Sequence, residues 1–318
     1  MDGAFLDFGS VAEGDELDTG SLRTVLPGFV VHDETADAEL VPRLAGKAVA
    51  VANKVQFTRA VLEALPGLRL IALTATGVNN VDVAAARERG VAVCNIRDYC
   101  TASVVQHVFA TLLALTHGLR EYDRLLKAGA WERASQFTML NFPVRELAGL
   151  TLGIVGYGTL GRGVARVGEA FGMKVAIANR AGAPREPGRV DLEELLPRVD
   201  VLTLHCPITP ATRHLIGRAQ LARMKRDAVL INTARGGLVD AAALAEALRA
   251  RRIGGAAIDV LEEEPPLGGN PLLAPDLVNL IATPHTAWAA RESRQRAIDE
   301  VAENVRAFLA GQRRNRVD

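Results

Sequence analysis

The hydrophobic pattern of the first 95 residues predicts short buried strands separated by amphipathic helices. Five apolar runs are the candidate strands: Ala4–Phe8, Phe29–His32, Ala48–Ala52, Leu68–Leu73 and Val91–Asn95. Apolar residues recur three and four apart in three helical segments: Asp37–Leu44, Thr58–Leu65 and Val81–Arg89. Asp82 is a candidate N-cap and Gly90 a candidate stop for the last of these. Strands that are apolar on both faces indicate a parallel sheet covered by helices on both sides.

The same alternation resumes near residue 150 and continues to residue 283. Six apolar runs predict strands: Leu152–Val155, Lys174–Ala178, Val201–His205, Ala228–Thr233, Gly255–Val260 and Asn279–Thr283. Helical patterns fill the gaps: Leu192–Val199, Arg218–Met224 and, behind the candidate cap Asp240, Ala241–Arg251. Six strands with intervening helices are the number expected of a complete doubly wound dinucleotide-binding domain.

Three further segments complete the predicted organisation. Thr101–Ala128 has a long, almost unbroken helical pattern, too apolar for a lone surface helix, so we expect it to pack between domains or against a second subunit. Trp131–Arg145 is irregular and apolar, which suggests an arm that lies on a partner or covers a cleft. The helix Ala289–Gly311 follows the sixth strand and is expected to pack on the N-terminal sheet. The sequence therefore predicts an α/β protein in which a dinucleotide-binding domain, residues 99–287, is inserted into a domain made of residues 1–98 and 288–318.

Composition and charge exclude several classes of partner. The 318 residues include 37 Lys and Arg and 37 Asp and Glu, so the formal net charge is zero. This balance gives no electrostatic reason for nucleic-acid or anionic-membrane binding. The cysteines Cys94, Cys100 and Cys206 form no CxxC pair, which favours a reducing, cytoplasmic setting. We expect neither a signal peptide nor a membrane span, because no apolar run has the required length or flanks.

The stretch Leu152–Arg180 contains a βαβ dinucleotide fingerprint. An apolar run leads into three glycines spaced GxGxxG, and a helical run and a second apolar run follow. Such glycines make a tight turn, let the backbone approach a pyrophosphate and let the helix pack on the strand. The predicted phosphate-binding residues are Gly156, Gly158, Thr159, Leu160 and Gly161. The alternative is an ordinary glycine-rich turn between a strand and a helix.

The far end of this fingerprint leaves the choice of cofactor open. An NAD site usually ends its second strand with Asp or Glu, whose carboxylate accepts hydrogen bonds from the ribose hydroxyls. This chain has Asn179 followed by Arg180, so that carboxylate is missing and a cation that could bind a 2′-phosphate is present. The sequence thus permits NAD(H) or NADP(H). Alternatively, Arg180 points to solvent and Asn179 still serves the ribose.

Three chemically distinct residues follow three successive strands of the predicted dinucleotide domain. Arg235 follows the run ending at Thr233, Glu264 lies in LEEEPP, and His285 lies in TPHTAW. Taken singly, they could be a surface arginine that pairs with a helix acid, a solvated acidic turn and a structural histidine. Together they supply what hydride transfer to a keto acid requires: a cation for the carboxylate, a proton donor near neutral pH and an anion to orient that donor. We do not assign these roles to His107, His117 or His205, and expect no metal.

Over nearly its whole length the sequence resembles the D-isomer-specific 2-hydroxyacid dehydrogenase family. The resemblance rests on GIVGYGTLGR, DVLTLHCPITPATRHLI, INTARGGLVD, GGAAIDVLEEEPP and TPHTAWA. Within the family, ATGVNNVD, TASVVQH and PHTAWA are most similar to the glycerate dehydrogenase, or hydroxypyruvate reductase, branch. The resemblance implies a Rossmann domain inserted into a flavodoxin-like substrate domain, an active site in the cleft between them, and a homodimer.

The resemblance also implies roles for individual residues. Arg235 would bind the substrate carboxylate and activate the carbonyl, His285 would be the acid/base, and Glu264 would pair with His285. Backbone amides of one loop would hold the substrate carboxylate: Ala75, Thr76, Gly77 and Val78. Further residues would line the nicotinamide and ribose: Cys206, Pro207, Thr212, Thr233, Ala234 and Asp259.

The expected reaction is reduction of a small 2-keto acid to a D-2-hydroxy acid, with hydroxypyruvate giving D-glycerate as the first choice. The same chemistry on glyoxylate, 3-phosphoglycerate or another acid is one alternative. A protein that senses nucleotide without catalysis is the other, since a fold alone does not fix a function.

Overall fold

A computed structural model describes residues 1–14 and 16–318, which divide into two units. The first unit consists of Met1–Cys100 and Trp288–Asp318, and the second unit consists of Thr101–Ala287. Each unit contains one parallel sheet with helices packed against it. The predicted fold class, α/β with two doubly wound parallel sheets, is confirmed.

The first unit has a five-stranded sheet in the order β2-β1-β3-β4-β5. Its strands are Gly3–Phe5 (β1), Val30–Val31 (β2), Val49–Ala52 (β3), Leu70–Leu73 (β4) and Ala92–Cys94 (β5). With helices numbered along the whole chain, this unit contains Gly20–Val25 (α1), Asp37–Leu44 (α2), Arg59–Glu63 (α3), Val83–Glu88 (α4) and Arg291–Leu309 (α11). The Asp82 side chain accepts a hydrogen bond from the Ala85 amide at 2.8 Å, as the predicted cap requires. Only α1 and a 3-10 turn at Phe8–Ser10 were not predicted.

The last helix packs on the sheet of the first unit, as predicted. Apolar side chains of α11, including Ile298 and Val301, are fully buried in one cluster with Phe5 and Val51. A second buried cluster covers the opposite face of the same sheet. Burial on both faces explains why these strands are continuous apolar runs rather than alternating ones.

The second unit has a seven-stranded sheet in the order β12-β11-β10-β9-β6-β7-β8. Its strands are Thr151–Val155 (β6), Lys174–Ala178 (β7), Arg189–Val190 (β8), Val201–Leu204 (β9), Val229–Asn232 (β10), Gly255–Ile258 (β11) and Leu280–Ala282 (β12). Its helices are Thr101–Thr116 (α5), Leu119–Lys127 (α6), Thr159–Ala170 (α7), Leu192–Leu195 (α8), Arg218–Arg223 (α9) and Ala241–Arg249 (α10). The six predicted strands are present, and the two-residue strand β8 is additional. The strand order reverses between β6 and β9, the position where ligands bind in open α/β sheets.

The long, almost unbroken helix predicted over Thr101–Ala128 consists of two helices. α5 ends at Thr116, and α6 starts at Leu119 after a bend of 57°. Gly118 lies between them with φ +58°, and a β carbon there would be 3.2 Å from the Phe142 side chain. The chain therefore turns at a glycine against which a later segment packs, a contact that the helical pattern does not encode.

Within residues 1–14 and 16–318, no single helix is long and apolar enough to cross a membrane. Only the bent pair α5 and α6, taken together, reaches the length and composition of a span.

Candidate active site

The glycine-rich turn after β6 has the shape that a dinucleotide pyrophosphate requires. Gly156 has φ +95°, and a β carbon there would lie 2.5 Å from the carbonyl carbon of His205. A β carbon on Gly161 would lie 2.1 Å from the Gly156 oxygen. Gly158, the N-cap of α7, has open space around it, since a β carbon there would meet nothing within 4 Å. The turn is therefore closed on its protein side and open before the N-terminus of α7, where an anion is favoured. Thr159 and Leu160 form the first two positions of that helix.

The far end of the fingerprint contains Asn179 directly after β7. Its Nδ2 donates to the Ala183 oxygen at 3.2 Å, and its Oδ1 accepts the Glu186 amide at 3.3 Å. Arg180 is exposed, and none of the ion pairs found among the described residues involves it. The neighbouring Arg185 does pair with carboxylates. The Asn179 amide therefore shapes its own loop, whereas Arg180 remains available to an anionic ligand.

Polar residues form a row across the carboxyl ends of four neighbouring strands. The last residues of β9 to β12 are aligned in register: Leu204, Asn232, Ile258 and Ala282. The next residue on each strand is polar: His205, Thr233, Asp259 and Thr283. Because the strand ends are in register, these four residues lie side by side at the carboxyl edge of the sheet. Two residues of this row, Thr233 and Asp259, are among those that the family resemblance assigns to the nicotinamide and its ribose.

The first half of this row contains buried polar atoms without a protein partner. His205 Nδ1 and Thr233 Oγ1 are buried and form no hydrogen bond with any described residue, while His205 Nε2 lies 2.9 Å from Thr203 Oγ1. Burial lowers the pKa of His205 to about 4, so its imidazole is neutral at physiological pH. Buried polar groups are normally satisfied, and orphaned ones often mark a ligand or water position. These residues therefore fit a polar cofactor group.

We expect His205 to weaken the fold on acidification. The unfolded imidazole takes up a proton near its ordinary pKa of 6.5, whereas the native pKa is about 4. Because the unfolded state then binds more protons, the free energy of unfolding decreases as the pH falls from about 6.5 to about 4. Urea unfolding at about pH 7 and about pH 5 measures the effect. The decrease should be smaller in His205→Gln, and equal decreases in the two proteins would contradict this account.

The loop after β9 is held by one buried threonine. Thr212 Oγ1 donates to the Pro207 oxygen at 2.8 Å and accepts the Thr209 amide at 2.7 Å. Cys206 is half-buried, and burial raises the pKa of its thiol. Thr212 thus closes the turn that starts at Pro207, and Cys206 provides a neutral side chain beside the polar row.

Arg235 lies in a loop that a buried asparagine holds in place. Asn232 Nδ2 donates to the Arg235 oxygen at 2.8 Å, and Asn232 Oδ1 accepts the Ala234 amide at 3.0 Å. The Arg235 guanidinium donates to the Ala234 oxygen at 2.6 Å, and it pairs with no carboxylate in the part of the chain that the structure describes. A β carbon on Gly236 would lie 1.9 Å from the Leu261 carbonyl carbon, so this loop packs directly on the loop after β11. The surface ion pair considered as the alternative for Arg235 is therefore not formed among the described residues.

Glu264 and His285 form a pair, as the sequence predicts for residues at neighbouring strand ends. His285 Nδ1 lies 2.7 Å from Glu264 Oε2, and both side chains are about one-third exposed, at 30% and 34%. The other carboxylate oxygen, Glu264 Oε1, accepts the Leu261 amide at 2.7 Å. The carboxylate is thus fixed at both oxygens, and the His285 Nε2 nitrogen remains to face a ligand.

Asp259 is a buried carboxylate with a full set of donors. Its side chain is 1% exposed. Oδ1 accepts the Thr283 hydroxyl at 2.6 Å and the Thr286 amide at 2.8 Å, and Oδ2 accepts the Ala287 amide at 2.9 Å. His107 Nε2, on α5, lies 3.1 Å from the Thr283 hydroxyl oxygen. Neither Asn232 nor Thr283 was predicted as a site residue, and no role was assigned to His107. The signal for Asn232 and Thr283 is a polar residue at the end of an apolar strand.

In the first unit, the loop after β4 presents free backbone amides. The Thr76 hydroxyl donates to the Ile96 oxygen at 2.9 Å, and Asn95 Nδ2 donates to the Thr76 oxygen at 2.8 Å. The amides of Ala75–Val78 donate to no acceptor among residues 1–14 and 16–318. Side-chain and carbonyl contacts therefore fix this loop while its N–H groups can bind an anion.

The chain is similar to several known proteins. Residues 109–287 match the family described as D-isomer specific 2-hydroxyacid dehydrogenase, NAD binding domain. The chain is 47% identical over 280 residues to a glycerate dehydrogenase of Methylorubrum extorquens, covering 88% of each chain. It is 36% identical to a hydroxypyruvate reductase of Blautia hydrogenotrophica, covering 89% of each. Among solved structures, an acyclic imino acid reductase in complex with NADPH and D-Arg is similar with a TM-score of 0.86 and 28% identity over the full length of both chains.

Proposed function

This chain belongs to the D-isomer-specific 2-hydroxyacid dehydrogenase family, and from that premise we propose that it reduces hydroxypyruvate to D-glycerate with a nicotinamide cofactor. The observation that carries this proposal is the His285–Glu264 pair at 2.7 Å, a proton donor with its orienting carboxylate. The 47% identity to a glycerate dehydrogenase and the similarity to a hydroxypyruvate reductase support the choice of substrate.

In this proposal His285 is the general acid of the reduction. A bound reduced nicotinamide supplies the hydride that reaches C2 of the keto acid. His285 gives the proton on Nε2 to the keto oxygen, so the carbonyl becomes a hydroxyl and the ring becomes neutral. Glu264 accepts the hydrogen bond from Nδ1, which fixes the orientation of the ring for the transfer.

Arg235 is proposed to bind the substrate carboxylate and polarise the carbonyl. Its guanidinium is a planar fork that matches a carboxylate, and no protein carboxylate neutralises it among the described residues. The free amides of Ala75–Val78 are proposed as further ligands of the substrate carboxylate. We also propose that residues 1–98 with 288–318 form the substrate domain and that residues 99–287 form the dinucleotide-binding domain.

Residues around the polar row are proposed to hold the cofactor. The pyrophosphate would lie on Gly156, Gly158, Thr159, Leu160 and Gly161. The nicotinamide and its ribose would contact Cys206, Pro207, Thr212, Thr233, Ala234 and Asp259. The orphaned Thr233 Oγ1 and the open space at Gly158 support this placement.

We propose that the enzyme accepts NADPH and that Arg180 binds its 2′-phosphate. Arg180→Ala is then expected to raise the KM for NADPH about 10- to 30-fold, because charge-assisted hydrogen bonds to the phosphate are lost. The KM for NADH should change less than about threefold. Initial rates with both cofactors measure this, and Arg185→Ala, whose guanidinium already pairs with Glu194, is the matched control. A much higher kcat/KM of the unmodified protein with NADH than with NADPH would contradict the NADPH proposal.

A panel of 2-keto acids, assayed with both cofactors, tests the proposed function. Hydroxypyruvate should have the highest kcat/KM, with glyoxylate, pyruvate and 3-phosphohydroxypyruvate as competitors. A higher kcat/KM for one of these competitors would identify it as the preferred substrate of the same reaction. Cofactor binding without turnover of any member would instead favour the nucleotide-sensing alternative.

We propose a cytoplasmic homodimer in which residues 131–145 lie on the second copy. Side chains of this arm are unusually exposed for their apolarity: Trp131 at 55%, Phe137 at 88% and Leu140 at 85%. Exposed apolar patches of this kind commonly mark protein interfaces. Sedimentation equilibrium gives the mass directly, and a species of 33.9 kDa would contradict the dimer.

All three cysteines are unpaired, which supports the proposed reducing, cytoplasmic compartment.

A further inference from the structure

His285 occupies a backbone conformation that its surroundings must impose. Its φ is +56°, in the left-handed region that non-glycine residues adopt infrequently. Such conformations persist when several surrounding contacts fix them. The direction of the imidazole follows from this backbone, so whatever holds residues 283–287 also aims the ring.

One buried residue, Asp259, accepts hydrogen bonds from the backbone of His285 and of the two residues that follow it. Its main-chain oxygen accepts the His285 amide at 2.8 Å. Its carboxylate accepts the amides of Thr286 and Ala287 at 2.8 and 2.9 Å. Asp259 therefore accepts hydrogen bonds from three consecutive amides of the left-handed turn. Two of these bonds go to its carboxylate, so the conformation of the turn depends on the position of that carboxylate.

The Asp259 carboxylate is in turn fixed by a chain of donors that starts on α5. The Thr283 hydroxyl has one proton, which it donates to Asp259 Oδ1 at 2.6 Å, so its oxygen is the acceptor for His107 Nε2 at 3.1 Å. α5 packs on β10 and β11, and the Ser103 hydroxyl, one turn before His107, donates to the Ala287 oxygen at 2.6 Å. The His285 turn is thus connected to a buried helix at both of its ends.

We propose that Thr283 and His107 are positioning residues for the acid/base. They orient the Asp259 carboxylate, which fixes the 285–287 backbone and thereby holds the His285 ring in line with Glu264. Neither residue touches the reacting atoms. The proposal rests on the proposed catalytic role of His285 and adds to it the groups that set the geometry of its ring.

A double-mutant cycle tests this inference. Thr283→Val replaces the hydroxyl with a methyl group of the same shape, and it should lower the single-turnover rate of hydroxypyruvate reduction about 10- to 30-fold, as loss of a group that orients a catalytic side chain does. Thr283→Ser keeps the hydroxyl and should stay within about threefold of the unmodified rate. The dissociation constant of NADH, measured by fluorescence, should change little in both variants.

The decisive step repeats Thr283→Val in a His285→Gln background. If Thr283 acts through His285, the additional loss there should be less than about twofold. A loss as large as in the unmodified background, or a weakened NADH affinity that accounts for it, would overturn the positioning role. Loss of the rate in Thr283→Ser would overturn it as well. If His285→Gln alone keeps the unmodified rate, the proposed function fails, and this inference fails with it. The rate of the single variant therefore distinguishes failure of the proposed function from failure of the positioning role alone.

His107 provides a second route should Thr283→Val not fold. His107→Leu removes the donor to Thr283, whereas His107→Gln retains an N–H donor at similar reach. We expect a rate loss of about 3- to 10-fold for Leu, recovery in Gln, and no additional loss for Leu in the His285→Gln background. Equal rates for His107→Leu and the unmodified protein would remove His107 from the chain of donors and contradict the proposal.

Discussion

Replacement of His285 by Gln is expected to lower kcat for hydroxypyruvate reduction about 10³-fold, while the dissociation constant of NADH stays within about threefold. A positioned general acid contributes typically 10²- to 10⁴-fold, and Gln cannot release a proton to the keto oxygen. Gln retains an N–H donor near the Glu264 carboxylate, which lies 2.7 Å from Nδ1 in the unmodified protein, so local packing should persist. Pre-steady-state absorbance of the nicotinamide gives the rate, and fluorescence titration gives the affinity.

The chain contains a matched control for this variant. His214 also faces a glutamate, with Nε2 3.4 Å from Glu262, and it also has a left-handed φ, +48°. His214 is exposed and is not one of the proposed site residues, so His214→Gln should leave kcat within about twofold. A His285→Gln enzyme that keeps more than about a tenth of the original kcat would remove His285 from proton transfer. Parallel loss of NADH affinity would mean that the residue serves cofactor binding instead.

The pairing of Glu264 with His285 shows why much of this site could be predicted from sequence. Both residues lie in the loops that follow two adjacent strands, β11 and β12, and the carboxyl ends of parallel strands lie at one edge. Residue type and strand order were therefore enough to bring a carboxylate and an imidazole together. The same reasoning identified Arg235, since the end of β10 neighbours that of β11.

What could not be predicted depends on packing between elements far apart in sequence. The break at Gly118 is set by the Phe142 side chain, which is 24 residues later and irregular in pattern. The contact between His107 and Thr283 joins residues 176 apart, and it requires knowing which face of α5 meets β10 and β11. The use of the Asn179 amide within its own loop likewise depends on where the 183–186 backbone returns. Hydrophobic period reveals which face of an element is buried but not which partner covers it.

Arg235 should contribute most to substrate use, and Arg235→Gln is expected to lower kcat/KM for hydroxypyruvate about 10³-fold. The guanidinium would make charge-assisted hydrogen bonds to the substrate carboxylate and polarise the carbonyl, and both effects depend on its charge and planar shape. Because Asn232 fixes the loop through main-chain atoms, at 2.8 and 3.0 Å, the backbone should keep its course when the side chain changes. The affinity for NADH should therefore be preserved.

Charge and shape can be separated with Arg235→Lys, which keeps a cation but loses the two-pronged geometry. We expect it to recover about tenfold in kcat/KM over Arg235→Gln and to remain well below the unmodified enzyme. Arg226→Gln is the control, because Arg226 is an exposed arginine in the turn that precedes the same strand, β10. A kcat/KM for Arg235→Gln within about fivefold of the unmodified value would leave the carboxylate to the Ala75–Val78 amides alone. In that case the unpaired guanidinium of Arg235 would have no part in recognising the acid.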